Sequence, residues 1–236
     1  MRSLHRCCPS RERGAIAVAD PLAERWPATV PGFQSMPGSH SVAAMSMNLI
    51  HRRICRSDKW ADRMRSQILP WACEGVRLDG DVLEIGPGYG ATTRWLLERG
   101  GQLTAVEVDP EMAADLSDEF GEWVDVRSGD GPELPLPNAA FDAVVCFTML
   151  HHVPSSEQQD RLFTETARVL RPGGTFAGLD SRLSLRFRLL HVGDTMVAVD
   201  PATLPNRLHV AGLVDVRTDL GARSFRFRAS RPSTRR

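Results

Sequence analysis

The apolar and polar positions between residues 81 and 180 alternate short apolar runs with amphipathic segments. Strands are predicted at Asp81–Ile85, Leu103–Val108, Phe141–Thr148, Thr175–Asp180 and near Trp123–Asp130. Helices are predicted between them at Ala91–Arg99, from Asp109 with Pro110 at the first helical position, and from Ser155 to Leu170, where "RPGG" stops the helix. Short turns between alternating strands and helices favour a parallel, doubly wound α/β sheet.

The segments that flank this alternation predict a leading helix and an antiparallel end. Ser57 is a candidate helix cap, and Trp60, Met64 and Ile68 recur every four residues on one face. After an apolar, arginine-containing stretch at 181–199, Asp200 and Pro201 predict a helix to about residue 211. The runs "VDVRTDL" and "SFRFRAS" then predict an antiparallel pair at the sheet edge. We therefore expect a Rossmann-like, doubly wound, mostly parallel seven-stranded sheet with an antiparallel last strand.

Composition limits the domain organisation and the classes of partner. Residues 1–46 mix Arg, Pro, Ser and Gly without periodicity, so we expect a poorly ordered extension, a single domain over 47–230 and a polar basic tail at 231–236. The formal net charge is zero, which gives no reason to expect nucleic acid as a partner. The alternating arginines of the last strand are compatible with an edge strand that has a solvated face or with a basic docking patch.

The cysteines and the apolar runs bear on the cellular setting. Five cysteines show no metal-ligand or disulfide spacing, so we expect a reducing, cytoplasmic setting and no metal ion. No window has eighteen consecutive apolar residues, and we expect no membrane span. The sequence does not indicate an oligomeric state.

The stretch "VLEIGPGYG" has three glycines, Gly86, Gly88 and Gly90, directly after the first predicted strand. A glycine turn between a parallel strand and a helix exposes backbone at the carboxyl edge of the sheet, where such folds bind ligands. Glycine is needed where a Cβ would keep a ligand away from the turn. The same pattern also occurs in turns that are purely structural.

Three acidic residues follow the successive strand ends and sharpen this interpretation. Glu84 lies two residues before the first glycine and would suit a cationic ligand better than a diphosphate. Glu107 ends the second strand, where a carboxylate can accept hydrogen bonds from ribose hydroxyls. Asp130, in "SGDG", follows the third strand, where it can accept from a purine amine. The third glycine lies four residues after the first, whereas dinucleotide-binding loops place it five residues after.

Four segments together resemble the class I S-adenosylmethionine-dependent methyltransferases, in particular the small-molecule, type 11-like branch. They are "VLEIGPGYG", "AVEVDPEM", "GDGPELPLPNAAFDAVVCFTMLHHV" and "ARVLRPGGTFAGLD". The resemblance covers residues 55 to 230 and implies S-adenosyl-L-methionine as cofactor, with the glycine loop at its methionine part. It also implies that Glu107 holds the ribose, Asp130 the adenine amine, and that Phe147 lines the site. The full set of predicted cofactor-binding residues is Glu84, Gly86, Pro87, Gly88, Gly90, Glu107, Val108, Asp130, Gly131 and Phe147.

Methyl transfer from a sulfonium is an in-line displacement in which positioning supplies much of the acceleration. A general base becomes useful when the acceptor carries a proton, and His151 and His152 are the candidates; a structural hydrogen bond or a pocket wall is the alternative role. The stretch 181–199, with Leu183, Leu189 and Met196, is either the wall for a small apolar, lipid-like or aromatic acceptor or a core helix with a solvated arginine face.

Two other functions are compatible with parts of the pattern. A Rossmann-type NAD-dependent oxidoreductase fits the fold, but the glycine spacing and Glu84 argue against it. A non-catalytic cofactor-binding protein fits all of the motifs, because the chemistry requires no fixed catalytic side chain. The methyl acceptor and its reacting atom do not follow from the sequence.

Overall fold

The structure, a computed structural model, describes residues 47–233. Seven strands within that range are β1 Asp81–Ile85, β2 Gln102–Glu107, β3 Val124–Ser128, β4 Phe141–Phe147, β5 Leu170–Ser181, β6 Val214–Leu220 and β7 Ser224–Ser230. The helices are α1 Leu49–Cys55, α2 Asp58–Arg63, α3 Leu69–Ala72, α4 Ala91–Leu97, α5 Pro110–Phe120, α6 Ser156–Val169, α7 Leu185–Leu190 and α8 Leu204–Val210. The predicted extension at 1–46 and the end of the predicted tail lie outside the described residues.

The strands form one sheet in the order β3-β2-β1-β4-β5-β7-β6, in which β7 alone is antiparallel to its neighbours. The predicted Rossmann-like, mostly parallel, seven-stranded fold is confirmed. The chain order reverses between β1 and β4, which pair in parallel with Ile85 opposite Cys146. Ligands of doubly wound sheets bind outside the carboxyl ends of the strands at such a reversal. The glycine loop leaves β1 at this point.

Local sequence signals set the starts of α5 and α6 at the carboxyl edge of the sheet. The Asp109 carboxylate accepts from the backbone N–H groups of Glu111 and Met112 at the start of α5, and Pro110 takes the first helical position. Ser155 caps α6 by accepting from Gln158 N. β4 is buried along almost its whole length, as its apolar sequence requires.

The leading segment differs from the single predicted helix. A helix that the sequence did not indicate, α1, precedes it, with Asn48 as its cap. The segment after Ser57 begins as α2, passes through a π-helical turn at Met64–Ile68 and continues as α3. Met64 is buried in the core beside Trp60 and Ile68, so the predicted apolar face is confirmed.

The carboxyl-terminal part corrects two predicted boundaries and the predicted position of one strand. The "RPGG" segment belongs to β5, which begins at Leu170 and is irregular against β4 until Thr175. The helix predicted from Asp200 begins at Leu204, after a turn. The last strand, β7, lies between β5 and β6 rather than at the edge. Its Arg226 bonds to Glu74 and Asp219, so this arginine is not part of a free docking patch.

Candidate functional site

The glycine loop after β1 is held in the left-handed backbone region at three positions. Gly86, Gly88 and Gly90 have φ values of 68°, 57° and 74°, which L side chains rarely adopt. The three glycines have different surroundings. A Cβ on Gly88 would meet nothing within 4 Å, whereas one on Gly90 would lie 2.5 Å from the Phe120 ring. Gly90 therefore serves helix packing, and Gly88 leaves open space beside the loop.

Glu84 lies beneath this loop rather than at its opening. The side chain is buried, and its two oxygens accept from the hydroxyls of Thr92 and Thr93 in the first turn of α4. Burial, with the nearby charge of Glu107, raises the pKa of Glu84 to about 7 against the lowering effect of the two threonines. Glu84 thus ties β1 to the helix that follows the loop, and a direct cofactor contact from it stays a prediction.

Glu107, at the end of β2, faces the glycine loop. Its Oε2 accepts from Gly88 N at 3.0 Å, and its Oε1 accepts from Val108 N at 3.0 Å and Asp109 N at 3.2 Å. Burial raises the pKa of this carboxyl, while the backbone donors act in the opposite direction. The Glu107 carboxylate is therefore held in a fixed position next to Gly88, the glycine that has open space beside it. Pro87, the remaining predicted loop residue, bonds through its carbonyl to Gly90 N.

The other predicted cofactor residues lie on the neighbouring strand ends. Asp130 follows β3 and is exposed. Partial burial of its carboxyl raises the pKa of Asp130, whereas a hydrogen bond from the backbone N–H of Gly131 lowers this pKa. Gly131 is buried, and a Cβ there would lie 2.7 Å from Leu162. Phe147, at the end of β4, is buried in the core. Glu107 and Asp130 thus follow adjacent strands, β2 and β3, at one edge of the sheet.

The turn after β4 carries a strained residue next to the glycine loop. Thr148 has a φ of 53°, an unfavourable conformation for a β-branched residue that is typical of functional sites. Thr148 N donates to the carbonyl of Leu179 in β5. The side chain of the next residue, Met149, packs against Gly86. The β4 turn and the glycine loop therefore form two sides of one edge site.

His151, in the 3₁₀ turn Leu150–His152, is paired with an aspartate at the end of β5. His151 Nδ1 lies 2.6 Å from Asp180 Oδ1, and its backbone N–H donates to Asp180 Oδ2 at 3.0 Å. Both side chains are buried. Because a carboxylate at Nδ1 fixes the proton there, Nε2 has a lone pair, and this atom has no partner within the described part of the chain. Asp180 ends a predicted strand 29 residues after His151, and no spacing in the sequence indicates that the two side chains pair.

His152 lies among further histidines that the sequence did not bring together. Its ring stacks on His51 of α1, with 5.2 Å between centroids, and lies 5.5 Å from His191 at the end of α7. Burial, followed by the charges of the neighbouring imidazoles, lowers the pKa of His152 to about 2. A second aspartate, Asp194, holds His51 at 2.8 Å. These partners are 39 to 143 residues apart along the chain, so no local spacing indicates them.

The start of α1 meets the end of α7 next to these histidines. The Asn48 amide of the α1 cap donates to the carbonyls of Leu190 and Val192 at 2.8 and 3.2 Å. Arg56, at the other end of α1, lies over the ring of Tyr89 in the glycine loop, 4.7 Å from its centroid. Large apolar side chains of this region are exposed: Leu49, Ile50, Leu183, Leu185, Leu189 and Val192. We call this set the α1–α7 apolar surface.

Two open grooves of about 420 and 450 Å³ lie at the amino edge of the sheet. Pro70, Trp95 and Arg99 line one, and Gly75, Asp215 and Arg228 are in the other. Neither groove includes the glycine loop, Glu107 or a histidine. Because ligands of doubly wound sheets bind at the carboxyl edge, we place the candidate site there.

No helix in residues 47–233 is long and apolar enough to cross a membrane.

Comparison with known proteins relates the segment that carries this site to methyltransferases. Residues 83–178 match the model of a methyltransferase domain, type 11. A Mycolicibacterium smegmatis protein named "probable S-adenosylmethionine-dependent methyltransferase" is 35% identical over 96 residues, 41% of this chain and 36% of its own. A demethylmenaquinone methyltransferase of Tropheryma whipplei is 29% identical, over 56% of this chain and 59% of its own. A ubiquinone biosynthesis O-methyltransferase of Xanthomonas axonopodis is 33% identical, over 56% and 62%.

Solved structures resemble this chain in fold. A Pyrococcus horikoshii protein superposes with a TM-score of 0.64 at 16% identity, covering 75% of this chain and 93% of its own. A Haemonchus contortus phosphoethanolamine N-methyltransferase, solved with S-adenosylhomocysteine, gives 0.60 at 16% identity, covering 80% and 60%. By contrast, the chain spans 36 to 62% of the length of the three curated relatives.

The fold and the glycine-loop site are those of a Rossmann-like cofactor-binding domain. Residues 83–178 are similar to the type 11 methyltransferase domains, and this match supports S-adenosyl-L-methionine as the cofactor. The residues present fit that cofactor. Gly88 leaves open space that a Cβ would fill, and the Glu107 carboxylate lies against it. The glycine spacing, the acidic strand end and the family match favour this cofactor over NAD.

Proposed function

We propose that this chain transfers a methyl group from S-adenosyl-L-methionine to a hydroxyl of an apolar, aromatic acceptor, with His151 as general base. The observation that carries the proposal is the His151–Asp180 pair at the end of β4 and β5, beside the glycine loop. The cofactor supplies an activated methyl group on a sulfonium, and the chain supplies binding, orientation and the fate of one proton.

The glycine loop and the acidic strand ends would hold the cofactor. The open backbone at Gly88 allows close approach, and the Glu107 carboxylate would accept from the ribose hydroxyls. Asp130, exposed after β3, would accept from the adenine amine. Val108 directly follows Glu107 in the chain, and Phe147 ends β4, the strand that pairs with β1. A fixed cofactor and a fixed acceptor are what an in-line displacement needs.

The histidine–aspartate pair has the arrangement of an oriented base. Asp180 accepts from His151 Nδ1 and from the backbone of His151 and Ser181, so the ring has one orientation. Nε2 is left with a lone pair that can take the hydroxyl proton as the methyl group is transferred. His152, the other predicted histidine, has its Nδ1 3.3 Å from the Thr195 carbonyl and is not given a role in the proton transfer.

The α1–α7 apolar surface supports an apolar acceptor. Leu185 and Leu189 are 75% and 64% exposed. Helix α7 ends at Leu190, directly before His191, whose ring centroid lies 5.0 Å from that of His151. Exposed apolar side chains on two adjacent helices are typical of a binding surface. Two relatives carry quinone-related names, one of them an O-methyltransferase, and the reduced form of a quinone, a quinol, has aromatic hydroxyls. We therefore propose a quinol or a similar lipid-like phenol as acceptor.

The proposal is tested by incubating the purified chain with a deuterated methyl donor and three acceptors: a hydroxylated quinol with an apolar tail, the same ring without the tail, and an alkyl amine. We expect a labelled methyl ether on the tailed quinol, less on the bare ring and none on the amine. Cofactor binding with no transfer to any phenol would contradict the proposal and favour a non-catalytic cofactor-binding protein.

The role of the base is tested with His151→Gln. Loss of a general base lowers turnover by about 10² to 10⁴-fold, and we expect that loss with little change in S-adenosylhomocysteine affinity. His209→Gln is the matched control, because His209 is exposed on α8 and distant from the site in the fold. If His151→Gln kept wild-type turnover across the pH range, the assignment of the base would be wrong.

A further inference from the structure

Four buried histidines meet at one place in the described fold. His51 comes from α1, His151 and His152 from the turn after β4, and His191 from the end of α7. We call these residues the histidine cluster. Adjacent ring centroids in the cluster are 4.2 to 5.5 Å apart. The methyl transfer proposed above uses only His151, so the other three rings need a separate explanation.

The partners of the rings determine where the imidazole protons lie. His51 Nδ1 is 2.8 Å from Asp194 Oδ2, and His191 Nδ1 is 2.8 Å from the Phe187 carbonyl. His152 Nδ1 is 3.3 Å from the Thr195 carbonyl. Carbonyl and carboxylate oxygens only accept hydrogen bonds. Each of these three rings therefore carries its proton on Nδ1 when neutral, and its Nε2 has a free lone pair.

The nitrogens of three of these rings converge. One ring nitrogen from each of His51, His152 and His191 lies within 4.8 Å of the other two. Since Nδ1 is occupied in each ring, Nε2 is the nitrogen that remains for a ligand. His191 Nε2 is buried and has no hydrogen-bond partner in the described residues. Within residues 47–233, no hydrogen bond joins one histidine ring of the cluster to another. Three imidazole nitrogens that lie this close together among buried rings, with no donor between them in this described part of the fold, form an arrangement that a cation would satisfy.

We infer that His51, His152 and His191 bind a divalent transition-metal ion, with Zn²⁺ as the first candidate. Neutral imidazole is a common ligand of zinc, copper and nickel, and a tetrahedral ion at about 2.0–2.1 Å from each nitrogen places the nitrogens about 3.4 Å apart. The three nitrogens lie within 4.8 Å of one another, so an inward movement of up to about 1.4 Å brings them to that value. Three protein ligands leave one coordination position open, as in catalytic zinc sites.

The contacts outside the three rings match those of known metal sites. A ligating histidine almost always donates its other N–H to a carboxylate or to a backbone carbonyl, which orients the ring. Asp194 has this role for His51 and the Phe187 carbonyl has it for His191. The expectation from the cysteines that the chain binds no metal did not consider histidines far apart in the sequence. The ion would join α1, the β4 turn and the end of α7.

Metal binding is measured directly, without reference to methyl transfer. The full chain is stripped with a chelator, incubated with Zn²⁺, passed through a gel-filtration column and analysed for metal by mass spectrometry. We expect about one equivalent of Zn²⁺ per chain and a rise in thermal midpoint that grows with Zn²⁺ concentration, because a ligand that binds only the folded state stabilises it. No retained metal and no thermal shift would overturn the inference.

Variants show whether the ion is in the cluster. We expect His191→Gln and His51→Gln to weaken Zn²⁺ binding at least 100-fold and Asp194→Asn to weaken it about 10 to 100-fold, the usual range for a residue that orients a ligand. His209→Gln, outside the cluster, should bind as the wild type does. Circular dichroism of each stripped variant checks folding. The inference is wrong if folded His191→Gln and Asp194→Asn both retain wild-type affinity. This result is independent of whether the quinol is methylated.

Discussion

The glycine-loop region and the histidine cluster lie at the same edge of the sheet but are built in different ways. The first is formed by Gly86 to Gly90 and Glu107, within 22 residues of one another and joined by one strand–helix–strand unit. The second collects side chains from residue 51 to residue 194. A site of the first kind has a sequence spacing that can be recognised, and a site of the second kind does not.

The two regions also differ in what holds their polar groups. Glu107 is fixed by three backbone N–H groups of its own strand–loop unit. The histidines are fixed by acceptors from other elements, such as Asp180 of β5 and Asp194 after α7. We therefore expect changes in the glycine loop to act locally, and changes in the cluster to affect how α1 and α7 are held. Substitutions in the two regions should therefore differ in how far their effects spread through the fold.

Gly90→Ala should have the largest effect on stability. The new Cβ would lie 2.5 Å from the Phe120 ring in the core, at a φ of 74°, so strain and overpacking add to about 4 kcal/mol of unfolding free energy. Gly88→Ala is the matched variant, because it has a similar φ but open space, and should cost about 1 kcal/mol. Urea unfolding measures both. Equal costs would contradict the separate roles given to the two glycines.

The buried Glu84 should make stability fall as the pH rises. The pKa of Glu84 is raised to about 7 in the folded state. Between pH 4.5 and 7 the folded state therefore keeps a proton on this carboxyl that the unfolded state has lost. Stability is therefore highest below pH 4.5 and declines by about 3 kcal/mol up to pH 7 from this group.

Glu84→Gln has no such proton, so it should gain about 3 kcal/mol relative to the wild type between pH 5 and pH 8. Chemical unfolding at the two pH values measures the gain. Glu122→Gln, an exposed glutamate, is the control. Parallel curves for wild type and Glu84→Gln would show that the carboxyl is not buried as described.

Glu107→Ala should weaken cofactor binding by about 1 to 3 kcal/mol through loss of charge-assisted hydrogen bonds. Isothermal titration with S-adenosylhomocysteine measures the change, and Glu122→Ala is again the control. A prior unfolding measurement corrects for the three backbone donors that lose their acceptor. Unchanged affinity in a folded variant would remove Glu107 from the cofactor site.

Leu189→Ser should have the smallest effect of these substitutions, and it should change the binding of the acceptor without changing stability or cofactor binding. The side chain is exposed, so the unfolding free energy should change by less than about 0.5 kcal/mol, while KM for an apolar acceptor rises several-fold and S-adenosylhomocysteine affinity stays constant. Leu220→Ser, equally exposed at the β6 edge, is the control. A KM that is identical in the two variants would exclude the α1–α7 apolar surface as the acceptor surface.

Much of the glycine-loop region could be predicted because the sequence signals for it are local. The strand and helix alternation, the Asp109 cap and the left-handed glycine turn follow from residues adjacent in sequence. Glu84 shows the limit of this reasoning. Its spacing from the loop is compatible with a ligand contact, but only packing shows that both of its oxygens are bonded to Thr92 and Thr93.

The sequence by itself determined the parallel sheet, the glycine turn and the place of Glu107, because side-chain periodicity and left-handed glycines act over a few residues. Tertiary structure alone decided that β7 lies between β5 and β6, that Asp180 orients His151, and that His51, His152 and His191 converge. The physical reason is range. A hydrogen bond or a lone pair selects its partner by position in space, and residues 51 and 191 become neighbours only when the chain has folded.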